Sequence, residues 1–285
     1  MTTTSMFRTP AGQARYFAAY ETTLALWPVA VESVEVATRF GPTHLNICGP
    51  QEAPPLVLLH GAAISATMWY PNIAALSRHY RVYAPDIVGE LGKSVSTQPM
   101  RQAADYAHWL SDVLDALKVE RAHVAGISLG GFVAFKLAQL APQRVNKLIL
   151  LSPASLLPFR PQFYFRLAAA IFTPGLSAEK RQALSLGVAS PNALPAIKQM
   201  LTPNDFKYQM FMPKTETEDD LRRTPAPTLL LIGEQEVIYD PHRALSRARQ
   251  FIPHLEAELV PNAGHGVSLD QPEVVNKRML EFLGS

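Results

Sequence analysis

The chain has 285 residues, with 26 Lys and Arg against 24 Asp and Glu and a hydrophobic share of 48%. A net charge of +2 offers no broad basic field for nucleic acid or an anionic membrane, and so apolar a composition excludes a disordered polyelectrolyte. One cysteine, Cys48, excludes an intramolecular disulfide framework, and 24 prolines exceed the ~5% of an average protein. Gln13 to Trp27 is spaced as a helix and closed by Pro28. Val31 to Thr38 alternates apolar and polar residues, as a half-exposed strand does, and Thr43 to Cys48 follows a Gly41-Pro42 turn as its partner. Leu56 to Leu59 is a continuous apolar run, the pattern of a strand covered on both faces of a parallel sheet. Helix Tyr70–Arg78, strand Tyr80–Pro85, helix Tyr106–Leu117, strand His123–Ile127, helix Gly130–Leu140 and strand Leu148–Leu151 then alternate. That alternation predicts an α/β protein with a parallel sheet.

From Ser152 to Thr224 the alternation stops, and eight prolines break the segment. It resumes with strand Thr228–Ile232, helix Pro241–Phe251, strand Ala257–Val260 and helix Glu273–Phe282. The expected organisation is a core of residues 1–152 and 225–285 with residues 153–224 inserted as a helical cap. A loop of about 70 residues without structure of its own would be uncommon. Met1 to Pro10 has no apolar run behind Arg8, so no secretory signal is read there. No apolar stretch reaches the ~18 residues of a membrane span, and the expectation is a cytoplasmic protein.

Gly126-Ile127-Ser128-Leu129-Gly130 fits G-x-S-x-G and lies between a predicted strand and a predicted helix. A sharp strand-to-helix turn there exposes the Ser128 hydroxyl as a nucleophile. A serine hydroxyl needs a base, and His265, in the Asn262-Ala263-Gly264-His265-Gly266 loop after the last strand, suits the chain order Ser, acid, His. The base needs an acid to hold its tautomer. The loop after Thr228–Ile232 carries Glu234, Glu236 and Asp240. Glu234 alternates to the other face, and Asp240 before Pro241 has the form of a helix N-cap. Glu236 is the expected acid, with Asp240 as the alternative. The oxyanion of a tetrahedral intermediate needs N–H donors, expected from Leu129 and from Ala62 in the turn after Leu56–Leu59, with Ala63 in reserve. His60 is read as a brace of that turn. Asp86 to Ser94 is glycine-spaced but out of P-loop register, so it is read as a loop beside the site and not as a nucleotide cradle. No metal-ligand spacing and no dinucleotide motif is found, and neither cofactor nor metal is expected.

These residues together resemble the α/β-hydrolase superfamily over nearly the whole chain. Leu26 to Val29, Thr38 to Gly41, Pro54 to Gly61, Thr67 to Ile73, Gly233 with Glu236 to His242, and Asn262 to His265 are similar to Bacillus carboxylesterases of the naproxen-esterase type. The resemblance implies the α/β-hydrolase fold and a glutamate as the acid, which falls on Glu236. It also implies small-molecule carboxylic esters as substrates, those of bulky arylpropionic acids included. Phe159, Phe163 and Met210 from the cap, with Ala63, are expected to line an apolar pocket. Most other cap aromatics are expected in the cap's own core, Arg160 and Arg166 in solvent, and Glu216 to Asp220 at a solvated helix start. A C–C hydrolase, lactonase or thioesterase on the same triad, or a ligand-binding protein that kept the fold, are the competing readings.

Overall fold

The computed structural model of the chain describes residues 5–188, 190–209 and 211–284. Helix α1 (Pro10–Leu24) precedes strands β1 (Glu32–Val36), β2 (Thr43–Cys48) and β3 (Pro55–Leu59). Then come α2 (Tyr70–Leu76), β4 (Arg81–Pro85), α3 (Ala103–Ala116), β5 (Ala122–Ile127), α4 (Leu129–Leu140) and β6 (Val145–Leu151). Among the described residues four α-helices follow before the sheet resumes: α5 (Pro161–Phe172), α6 (Ala178–Leu186), α7 (Leu194–Met200) and α8 (Glu218–Arg222). The chain closes with β7 (Thr228–Gly233), α9 (Pro241–Phe251), β8 (Leu255–Val260), a single turn α10 (Val267–Asp270) and α11 (Pro272–Leu283).

The strands form one sheet in the order β1-β2-β4-β3-β5-β6-β7-β8. β1 and β2 pair antiparallel, as does β2 with β4, and every pairing from β4 to β8 is parallel. The expected mostly parallel α/β sheet is therefore present. Its apolar runs alternate between two cores because successive strand residues point to opposite faces. Val57 and Leu59 join Trp109 of α3, Phe132 and Phe135 of α4, and Leu245 of α9. Leu56 and Leu58 join Trp69, Ile73 of α2, and Val275 and Met279 of α11. A third cluster seats Tyr16 and Tyr20 of α1 against Phe7 and Phe206.

Two helices begin three residues earlier than expected, for one reason. α1 begins three residues before Gln13, with Thr9 as N-cap accepting from the Gly12 N–H over 3.0 Å and Pro10 in the first turn. α3 begins at Ala103, where Asp105 accepts from the backbone of Gln102. Polar caps and a leading proline read as breakers in sequence, but they belong to a helix start.

The segment between β6 and β7 corrects several expectations. Tyr164, Phe165 and Phe172 are exposed and not in a core. Arg166 is half-buried and donates to the carbonyls of Ala183 and Leu184, which ties α5 to the end of α6. Arg160 is exposed but pairs with Asp240 at 2.6 Å. Glu218 to Asp220 do open α8 in solvent, but Glu216 is buried against Lys136 of α4.

Candidate active site

Ser128 sits between β5 and α4 with φ 53° and ψ −116°. A non-glycine residue occupies such a region at a cost of about 1–3 kcal/mol, and only where its surroundings hold it there. Its N–H donates to Leu151 O over 3.0 Å, and its carbonyl accepts from Phe132 and Ala154, both over 3.1 Å. Contact demands the two glycines of the motif. A Cβ on Gly126 would lie 2.2 Å from Gly130 O, and one on Gly130 would lie 2.2 Å from Leu59 O.

The turn after β3 lies against this elbow: a Cβ on Gly61 would be 3.5 Å from Ser128 Cβ. His60 is fully buried there. Its Nε2 accepts from the Ile87 N–H over 2.8 Å, so Nδ1 carries the proton and donates to Gly61 O over 2.7 Å. Burial pushes its pKa below the usual histidine range, which keeps the ring neutral. His60 thus joins the turn to the Asp86–Ser94 loop. Asp86 adds a second link by accepting from the Ala66 and Lys93 N–H groups, both over 2.9 Å. Ala62 is exposed, and among the described residues neither its N–H nor that of Leu129 meets an acceptor. Ala63 differs: its N–H donates to Glu90 Oε2 over 2.8 Å, so it is engaged and not a reserve donor.

Glu236 and His265 come together from the loops after β7 and β8. Glu236 Oε2 accepts from His265 Nδ1 over 2.7 Å, and Glu236 Oε1 accepts from the Ile238 N–H over 2.8 Å. Both side chains are buried. The carboxylate therefore fixes the tautomer in which Nε2 keeps its lone pair, as a general base requires. The loops are held to each other by Gln235 N–H donating to Ala263 O over 2.8 Å. Glu234 is exposed. Asp240 caps α9, accepting from the Arg243 N–H over 3.0 Å. All of these groups follow the carboxyl ends of parallel strands, the edge where open α/β sheets bind their ligands.

Of the expected pocket residues, Phe163 is buried and meets the half-buried Phe159 edge-on at 5.7 Å. Met210 lies outside the described residues. Phe211 meets Tyr106 at 4.9 Å and Phe132, on the elbow helix, at 5.5 Å. Three groups carried no sequence signal. They are Glu90 under the turn after β3, Asp270 accepting from the Gly264 N–H over 2.9 Å, and the Leu186 carbonyl bonded by His265 N–H. Glu90 and Leu186 act through contacts distant in sequence, and Asp270 through a turn six residues long. Among the described residues no three His, Cys, Asp or Glu side chains gather as metal ligands would. No helix among them is long and apolar enough to cross a membrane.

Residues 56–278 match the model of the alpha/beta hydrolase family. An uncharacterized carboxylesterase, nap, of Bacillus subtilis is 42% identical over 95% of this chain and 93% of its own length. The carboxylesterase YbfK of the same organism is 40% identical over 94% of this chain and 93% of its own. The crystal structure of naproxen esterase from Bacillus subtilis superposes with a TM-score of 0.90 at 40% identity, covering 97% of this chain and all of that one. With its sheet order, its serine elbow and these relatives, the chain belongs to the alpha/beta hydrolase family.

Proposed function

We propose that this protein is a carboxylesterase, hydrolysing small carboxylic esters with apolar or aryl acyl groups through Ser128, His265 and Glu236. The names of its relatives support ester hydrolysis, and that of the naproxen esterase supports an arylpropionate acyl group. The observation that carries the reading is the buried 2.7 Å hydrogen bond between Glu236 and His265, on the same sheet edge as the strained Ser128.

In this mechanism His265 Nε2 takes the Ser128 proton as Oγ attacks the ester carbonyl. Glu236 stabilises the imidazolium without itself taking a proton. The Ala62 and Leu129 N–H groups receive the oxyanion, and removing one such donor typically costs about 10²–10³ in kcat. The imidazolium then protonates the leaving alcohol, and a water activated by the same histidine releases the acid from Ser128. No cofactor or metal enters these steps. Residues 153–224 act as a lid, and Phe159, Phe163 and Phe211 suit an apolar acyl group.

The test is hydrolysis of p-nitrophenyl esters of increasing acyl length, with a racemic arylpropionate ester alongside and Ser128→Ala as control. Turnover lost in Ser128→Ala is expected. Inactivity on every ester, or activity that survives in Ser128→Ala, would overturn the reading.

A further inference from the structure

Glu90 is an acid in the Asp86–Ser94 loop that the chemistry above does not use. Its side chain turns inward and is 6% exposed. Oε2 accepts from the Ala63 N–H over 2.8 Å, and among the described residues no lysine, arginine or histidine pairs with the carboxyl. The ionisable groups that face it electrostatically are Tyr106 of α3 and Tyr208, which follows α7. Neither supplies a positive charge. The partner it holds is unusual: Ala63 has φ 58°, in the left-handed region that favours glycine. Such a conformation persists where the surroundings enforce it.

We propose that Glu90 is a positioning residue for the oxyanion turn, accepting the Ala63 N–H as a neutral carboxylic acid and so holding Ala63 left-handed and the Ala62 N–H free. The inference rests on the ester-hydrolase reading above. Oε2 is the carbonyl oxygen of that acid and Oε1 bears the proton. Neutrality matters because Ala62 is one peptide away. An ionised carboxylate there would oppose the negative charge that develops on the substrate oxygen. The environment favours the proton, since burial pushes this carboxyl up to about 7 against the opposing pull of the Ala63 N–H.

Two variants separate this role from simple packing. Glu90→Gln keeps a neutral acceptor, and Glu90→Leu keeps the volume without one. With a p-nitrophenyl ester, Glu90→Leu should lose about 10²-fold in kcat with little change in KM, the size of an oxyanion-donor loss. Glu90→Gln should stay within about threefold of wild type at pH 6 and outpace it by about tenfold at pH 9, where wild-type Glu90 carries charge. The ratio of the two rates removes any pH dependence that both enzymes share. A ratio that is flat or moves the other way between pH 6 and 9 overturns the proposal, whether or not Glu90→Leu folds. So does a folded Glu90→Leu enzyme with wild-type kcat. Wild-type protein inert on every ester would instead sink the hydrolase reading, which keeps the two failures distinct.

Discussion

The backbone N–H of His265 donates to the carbonyl of Leu186, the last residue of α6, over 2.7 Å. The base expected for catalysis is thus held on one side by Glu236 and on the other by the segment inserted between β6 and β7. That carbonyl is one of the four that a helix end leaves unpaired, so the bond satisfies both groups.

The contact leaves no room for a side chain beside it. A Cβ on Gly264 would lie 2.1 Å from Leu186 O and 3.0 Å from Val188 N. Gly264→Ala should therefore push α6 and the histidine loop apart. A misplacement of the base by about 1 Å can cost ~10²-fold in rate. We expect a loss of that order in kcat together with a lowered Tm, measured on a p-nitrophenyl ester and by thermal unfolding. A variant with wild-type kcat would show that the loop tolerates the displacement.

The two acids of the loop after β7 should separate cleanly. Glu236→Gln can no longer hold the Nδ1–H tautomer, and comparable substitutions cost about 10⁴ in kcat. Asp240→Ala removes an N-cap, which costs about 1 kcal/mol of stability. Its kcat should stay near wild type. Steady-state kinetics and urea unfolding on both variants decide the matter, and the reverse pattern would move the acid to Asp240.

Asp270 makes a prediction about pH. Its Oδ2 accepts from the Gly264 N–H, and its Oδ1 is buried with no partner among the described residues. Burial pushes this carboxyl up to about 6. The folded chain therefore binds the proton more tightly than the unfolded chain, where an aspartate ionises near pH ~4. Between roughly pH 4 and 6, folding takes up a proton, and stability falls as pH rises. Asp270→Asn keeps an acceptor for Gly264 and removes the charge. Its stability relative to wild type should grow by about 2–3 kcal/mol from pH 4 to pH 7, read by urea unfolding at each pH. A constant difference would mean that the carboxyl ionises as it does in water.

The pair of Lys136 and Glu216 joins the elbow helix α4 to the segment before α8. Nζ and Oε2 are 2.6 Å apart, with side-chain exposures of 13% and 2%. Burial raises the Glu216 pKa despite the lysine, so the carboxylate depends on its partner. Lys136→Met should cost about 3–5 kcal/mol, because it leaves a buried charge alone. Adding Glu216→Leu should recover most of that loss, since an apolar pair of similar volume is often neutral or better. Urea midpoints for the single and double variants test it, and a double variant no more stable than the single would refute the pairing argument.

The sequence by itself determined the order of strands and helices, the parallel core and the serine elbow. These depend on short-range rules: apolar runs, helical spacing, and the steric demand of a tight turn for glycine. It also narrowed the expected acid to Glu236, with Asp240 as the alternative. Only the tertiary structure decided which of them meets His265, because that follows from the pairing of Gly233 with Val260 and of Gln235 with Ala263. The same holds for Glu90, which the sequence places in a loop beside the site without saying where its carboxyl turns, and for Phe165 and Phe172, which composition alone would bury. Whether a carboxylate turns inward or an aromatic outward is set by what the rest of the chain brings against it. Leu186 reaches His265 across 79 positions and Ala63 reaches Glu90 across 27, and no local pattern records such distances.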